Sequence, residues 1–262
     1  MAVSSPAYKA AIVIPVYNEA ATISPLAERI VEHMPLRPFR ILFVDDGSTD
    51  DSLRVIKGLQ QRFDEVHYLS FSRNAGKTQA LASAFQRTDE DIVVTMDADL
   101  QDDPAELPRL LDAVASGTDV VCGWKQNRRD PARKTFPSRV FNLAMARMFA
   151  LDLHDINTGF KAMRGDAARA IELSGDRHRF IPVLAARLGY SVGEIPVLHH
   201  PRAYGESKYG FTRYFHGIRD AWMLWREARG WREAPPQPPE PAGLVAETSE
   251  DASARTSGGA LT

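Results

Sequence analysis

The chain has 262 residues, with 32 lysines and arginines against 34 aspartates and glutamates and a formal net charge of -2. That length is enough for one large α/β domain with a proper core, and the charge balance gives no electrostatic case for a nucleic-acid partner. A single cysteine, Cys122, excludes an intrachain disulfide framework and a cysteine-rich metal site.

Residues 10–17 read as a buried first strand, with pairing expected to end at Pro15. Residues 20–33 follow as an amphipathic helix marked by Ile23, Leu26 and Ile30. Residues 39–44 form the second strand, and Ser48 or Asp50 is placed to cap a helix carrying Leu53, Ile56 and Leu59. A short strand at 66–69, a helix at 76–87 and a strand at 92–96 come next. Pro104 starts a helix that runs to Ala115 on Leu107, Leu110, Leu111 and Val114. A fifth strand at 119–122 buries Cys122. Strands alternating with helices predict an α/β fold with right-handed βαβ units and a mostly parallel sheet, whose ligands bind at the carboxyl ends of the strands.

The second half is less regular. Helices are expected at 136–150, 166–174 and 179–188, and a strand at 192–197. Residues 210–229 set Phe211, Tyr214, Phe215, Ile218, Trp222 and Trp225 at helical spacing among Arg213, Arg219 and Arg226. From Ala234 the chain is rich in proline and then in Ser, Thr, Ala and Gly. The expected division is therefore a main domain over 1–209, an amphipathic helix over 210–230 and a disordered tail over 231–262. No apolar leader opens the chain and no window nears roughly 18 consecutive apolar residues, so neither a signal peptide nor a membrane span is expected.

Chemistry concentrates at two strand ends. Asp97-Ala98-Asp99-Leu100-Gln101 follows the run Ile92–Met96, and closely spaced oxygen ligands of this kind suit Mg²⁺ or Mn²⁺ serving a phosphate-bearing substrate. A turn would let one carboxylate ligate metal while the other binds a sugar or ribose hydroxyl, and Gln101 adds a further oxygen. Asp102 or Asp103 is the N-cap before Pro104. Asp45 and Asp46 end the second strand, where one would suit a ribose or base and the other would orient the loop. Pro15, Tyr17 and Glu19 end the first strand beside them. A diphosphate leaving group needs further positive charge, for which Arg73, Lys77, Lys125, Arg128, Arg129, Arg133, Lys134 and Arg139 are candidates. Arg202 and Lys208 sit in a glycine-containing stretch suited to a lid over phosphates. His199 and His200 are adjacent and should point apart, which argues against a metal pair.

The segments Pro15–Glu19, Val44–Asp50, Asn74–Lys77, Met96–Pro104, Gly123 through Arg139, Leu153–Lys161, His178–Pro182 and Tyr204–Gly210, in this order, resemble the family 2 glycosyltransferases of the GT-A fold. More narrowly, the chain resembles the polyprenyl-phosphate glycosyltransferases, the group that includes dolichol-phosphate mannose synthase. The likeness spans roughly residues 9–225. It implies an inverting, metal-dependent transfer of a hexose from a nucleoside diphosphate sugar to polyprenyl phosphate, with mannose from GDP-mannose favoured and glucose from UDP-glucose next. Pro15, Tyr17, Glu19, Asp46 and Asp97 would line the nucleotide site, with Asp45 and Lys77 beside them. Asp99 and Gln101 would bind Mg²⁺ or Mn²⁺. Arg128, Arg139, Arg202 and Lys208 would hold the donor diphosphate or the acceptor phosphate, and Asp155 matches the acidic position near the sugar. The implied setting is cytoplasmic, with peripheral contact to a membrane face through 210–229. Two rivals are a soluble family 2 enzyme acting on a hydroxyl, which would need Asp155 as a general base, and a non-catalytic nucleotide-binding protein.

Overall fold

The computed structural model describes residues 8–34, 38–125, 148–149, 151–201 and 223–226. Strands β1 (Ala10–Val16), β2 (Phe39–Asp45), β3 (Val66–Ser70), β4 (Ile92–Thr95), β5 (Val120–Lys125), β6 (Lys161–Arg164) and β7 (Val192–Val197) form one sheet in the order β3-β2-β1-β4-β6-β5-β7. All neighbours pair in parallel except β6, which runs antiparallel to both β4 and β5. The expected mostly parallel α/β sheet is present, with one reversed strand inside it.

Alternation along β1 explains the layering. Ile12 and Ile14 face one side, with Ile23, Leu26 and Ile30 of α1 (Ala20–His33), Ile56 and Leu59 of α2 (Ser52–Gln60), and Leu107, Leu110 and Leu111 of α4 (Leu107–Ala115). Ala11 and Val13 face the other side, with Leu81 and Phe85 of α3 (Lys77–Phe85), Ala167 and Ala168 of α5 (Gly165–Ala170), and Ile181 and Leu184 of α6 (Ile181–Arg187). Both faces of the sheet are thus covered, as buried parallel strands require.

Several boundaries differ from expectation. Pro15 does not end β1, because pairing with β2 continues to Val16 opposite Asp45. The side that ends early faces β4, where pairing stops at Val13 opposite Thr95. The Val13 carbonyl accepts from Met96 on that side, so the N–H that proline lacks falls where no partner is required. Neither Ser48 nor Asp50 is the N-cap of α2; Asp51 is, while Asp50 Oδ1 accepts from Ser52 N at 3.0 Å and Ser48 Oγ accepts from Asn18 N at 3.0 Å. Asp103 is the cap before Pro104, accepting from Ala105 N at 3.1 Å, and a 3₁₀ turn over Pro104–Glu106 precedes α4.

β5 runs on to Lys125, and the helix expected at 166–174 ends at Ala170. Strand β6 was not expected at all. The helix expected at 136–150 and the segment 210–229 lie outside the described residues except for 148–149 and 223–226. In the latter, Leu224 is buried against the second core layer while Met223 is exposed, so this turn packs on the domain. The tail beyond 230 lies outside the described residues. Among the described residues, no helix is long and apolar enough to cross a membrane.

Candidate active site

The chain leaves β1 toward β2 and leaves β4 toward the opposite half of the sheet, so the carboxyl ends of these two strands diverge. Such a switch point leaves a crevice. A cleft of about 350 Å³ lies there, lined by Pro15, Val16, Tyr17 and Glu19 from the end of β1, by Asp46 after β2, by Asn74, Gly76 and Lys77 at the start of α3, and by Asp97, Ala98 and Asp99 after β4. Tyr17 is 37% exposed, an aromatic face on an open wall.

Each loop around the cleft is fastened to another. Asn18 has φ 54° and its Oδ1 accepts from Thr49 N at 2.8 Å, which ties the first loop to the second. Gly47, at φ +68°, lets the third loop approach: an added Cβ would lie 2.4 Å from the Arg73 carbonyl carbon. Asp46 then holds that third loop, its Oδ1 accepting from Ala75 N at 2.7 Å and its Oδ2 from Gly76 N at 2.9 Å. Asp46 therefore both lines the cleft and orients a loop. Asp45 is buried behind it, accepting from Ser48 N at 3.1 Å and Ser70 Oγ at 3.0 Å, and does not line the cleft.

Lys77 is not free for phosphate alone, because its ammonium is ion-paired with Asp97. Burial opposes ionisation of Asp97, but the Lys77 charge and hydrogen bond, with Lys125 behind them, together outweigh it, so the carboxyl is held below its ordinary value. Behind Asp97, Gly159 comes so close that an added Cβ would meet Asp97 Oδ2 at 2.7 Å. Asp99 is buried beside the cleft and its Oδ1 accepts from Gln101 N at 3.2 Å. Between them Leu100 is held at φ 60°, a strained conformation for leucine of the kind that collects at functional sites.

Gln101 does not line the cleft, and its Nε2 lies 3.4 Å from His199 Nε2 and donates to the His200 carbonyl at 3.3 Å. The two histidines do point apart: His199 Nδ1 lies 3.5 Å from Asp102 Oδ1, and His200 Nε2 lies 2.8 Å from Asp103 Oδ2. Lys125, expected among the phosphate ligands, is instead in the interior, with Nζ 3.1 Å from Asp102 Oδ1. Burial opposes both charges, yet Lys125 and His199 together lower Asp102, and Asp102, Asp97 and Asp155 together raise Lys125. Arg73 is exposed on the third loop. Asp155 is buried, lies within electrostatic reach of Lys125 and Lys161, and does not line the cleft. Arg128, Arg139, Arg202 and Lys208 lie outside the described residues, as do Arg129, Arg133 and Lys134.

A second, smaller cavity of about 90 Å³ shares Lys77 and Asp97 with the cleft and is otherwise lined by residues including Thr95, Asn157, Thr158, Lys161, His178 and Arg179. None of these last residues was assigned a role from the sequence. The available signal was Lys161, a cation at the start of the apolar run Ala162-Met163, which only an unexpected strand buries.

Among the described residues, no three His, Cys, Asp or Glu side chains are gathered to hold a metal. Mg²⁺ is commonly held by one or two carboxylates and completed by substrate phosphates. Asp97 and Asp99, both facing the cleft, fit that kind of site.

A sequence model of the family described as glycosyl transferase family 2 matches residues 11–171. An undecaprenyl-phosphate 4-deoxy-4-formamido-L-arabinose transferase from Pseudomonas aeruginosa (strain LESB58) is 39% identical over 206 residues, covering 77% of this chain and 60% of that protein. A dodecaprenyl-phosphate galacturonate synthase from Rhizobium johnstonii is 34% identical over 216 residues, covering 80% of this chain and 64% of the relative. The chain thus spans less than two thirds of the length of these curated relatives. Among solved structures, glucosyl-3-phosphoglycerate synthase from Mycobacterium tuberculosis, in complex with Mn²⁺ and UDP-glucose, matches with a TM-score of 0.66 at 19% identity, over 84% of this chain and 79% of that one. That likeness establishes a shared fold.

Proposed function

The chain belongs to glycosyl transferase family 2, and from that premise we propose that it transfers a sugar from a nucleoside diphosphate, bound in the β1–β4 cleft, to a polyprenyl phosphate. The observation that carries this is the cleft itself: an exposed Tyr17 on one wall, and Asp97 and Asp99 together on the other. An aromatic wall suits a base, and paired carboxylates suit the cation of a diphosphate. The polyprenyl acceptor is supported by the names of both curated relatives reported above.

Asp99, with Asp97 alongside, would hold Mg²⁺ or Mn²⁺, and Gln101 would join only by turning its amide from His199 and His200. When bound there, the ion supplies positive charge to the departing diphosphate. Lys77 fixes the Asp97 carboxylate, and Asp46 fixes the loop that carries Gly76 and Lys77. A phosphate acceptor is already an anion, so positioning and charge neutralisation supply most of the rate. Buried Asp155 suits such a reaction as a group that orients Lys125 and Lys161. Arg128, Arg139, Arg202 and Lys208 are proposed as the remaining phosphate ligands.

Both curated relatives are named for sugars other than mannose and glucose. A donor panel should therefore add a uronate and a formamido-pentose to GDP-mannose and UDP-glucose. A soluble acceptor is the second reading, since structures of the same fold are described with phosphoglyceric acid and with glycerol 3-phosphate. Release of nucleoside diphosphate from each donor, measured with a short polyprenyl phosphate and with phosphoglyceric acid in parallel, separates the two. Release stimulated only by the lipid phosphate supports the proposal; release stimulated only by the soluble acid overturns it.

A further inference from the structure

We propose that the 90 Å³ cavity behind Asp97 is an oxyanion subsite, in which Lys161 receives a phosphate or carboxylate group presented from the donor cleft. The proposal rests on the reading of that cleft as the nucleotide-sugar site.

Lys161 opens β6, level with Thr95 on β4 and Cys122 on β5, and is 2% exposed. Its ammonium donates to the Thr158 carbonyl. Among the described residues, no carboxylate lies within ion-pairing distance of it. An ammonium has three protons to donate, and Asp155 and Asp97 favour the Lys161 charge only through space, without an ion pair, which leaves a buried cation incompletely compensated. The nearest carboxylate on the cavity wall, Asp97, is already ion-paired with Lys77. Burial pushes the Lys161 pKa down and the Lys77 charge adds to this, while Cys122, Asp155 and Asp97 act against it.

The rest of the wall agrees. Lys77, Lys161 and Arg179 line the cavity together with Asp97, the Asn157 amide and the His178 ring. His178 Nδ1 lies 2.7 Å from Thr78 Oγ1, which fixes the ring. A water needs only about 10–15 Å³ of such space, so the cavity has room for a tetrahedral or planar oxyanion. Because Lys77 and Asp97 border both spaces, a group in the cavity would adjoin a sugar held at Asp97. Two sources present such a group: the phosphate of the acceptor, or a carboxylate on the transferred sugar.

The test compares the wild type, Lys161→Met and Asn157→Asp by calorimetry. Asn157→Asp keeps the shape of a half-buried side chain while adding negative charge, and it carries the test if Lys161→Met fails to fold. UDP with Mn²⁺ is titrated first, as a control for the cleft. Inorganic phosphate and a short polyprenyl phosphate are then titrated with UDP and Mn²⁺ present, and UDP-glucuronate is compared with UDP-glucose. UDP affinity should be unchanged, and phosphate affinity should fall about tenfold or more in both variants, as expected when a charged hydrogen bond is lost or opposed.

A parallel loss for the polyprenyl phosphate assigns the subsite to the acceptor. A loss confined to UDP-glucuronate, with UDP-glucose unaffected, assigns it to the sugar. Equal binding of every probe by all three proteins overturns the proposal. If the wild type fails to bind UDP but still binds phosphate through Lys161, the donor reading fails and the subsite stands.

Discussion

Gly159→Ala tests the geometry of the cleft with one methyl group. The backbone at Gly159 needs no positive φ, so the effect is purely steric. The new Cβ would lie 2.7 Å from Asp97 Oδ2, 2.8 Å from Cγ and 2.9 Å from Oδ1. Ordinary contact begins near 3.4 Å, so the carboxylate or the loop must move by about 0.7 Å. Asp97 is poorly able to yield, because Lys77 holds it from the other side. Overpacking of this kind costs about 1–3 kcal/mol of stability, and misplacement of a catalytic group by about 1 Å can cost on the order of a hundredfold in rate. The expected variant is folded, melts a few degrees lower, and loses about tenfold to a hundredfold in kcat/KM. Thermal melting and initial-rate transfer assays read the two effects. Wild-type turnover at wild-type donor concentration would refute the argument that Asp97 must stand where Gly159 and Lys77 place it.

Asp46→Asn should destabilise the fold by about 1–3 kcal/mol, since the amide keeps one acceptor for Ala75 N and Gly76 N and turns an NH2 toward the Gly76 N–H in place of Oδ2; an unshifted urea midpoint contradicts this. Cys122 is fully buried and its thiol is pushed up to about 12 by burial, so a thiol reagent at pH 8 should label it only after unfolding. Prompt labelling of the native protein would count against the assigned strand. Asp102 has a folded-state pKa below the ordinary value of 3.8, so its contribution is present above that value and lost as pH falls below it. Urea midpoints should therefore fall on acidification below about pH 4, and Asp102→Asn should start less stable at pH 7 and lose less; parallel curves for the two proteins would exclude the Lys125 and His199 contacts of Asp102 as the cause.

The first half of the fold was legible because its strands are uninterrupted apolar runs punctuated by helices of clear period. β1, β2, β4 and α1 lie where the pattern puts them. Strand β6 was not legible: four residues, Lys161–Arg164, with charges at both ends, resemble a loop until β4 and β5 enclose them. The β4 cluster was legible as a candidate site because two aspartates at a strand end read as ligands, and the structure brings both to the cleft. The roles within it were less so. Lys125 reads as a phosphate ligand beside so many arginines, and only the burial of Asp102 across the sheet end turns it inward. Asp45 and Asp46 are adjacent and look equivalent, yet alternation sends one to Ser48 and Ser70 and the other to the cleft. Long-range partners of this kind cannot be read from local spacing.

The most direct measurement is transfer from a panel of radiolabelled nucleotide sugars to a short polyprenyl phosphate, with Mn²⁺ and with EDTA. The proposed reaction predicts one donor that yields an organic-extractable sugar lipid, formed with Mn²⁺, abolished by EDTA and lost in Asp99→Ala. No extractable product from any donor, in protein that binds a nucleotide sugar with Mn²⁺, would contradict the lipid acceptor and leave a soluble one.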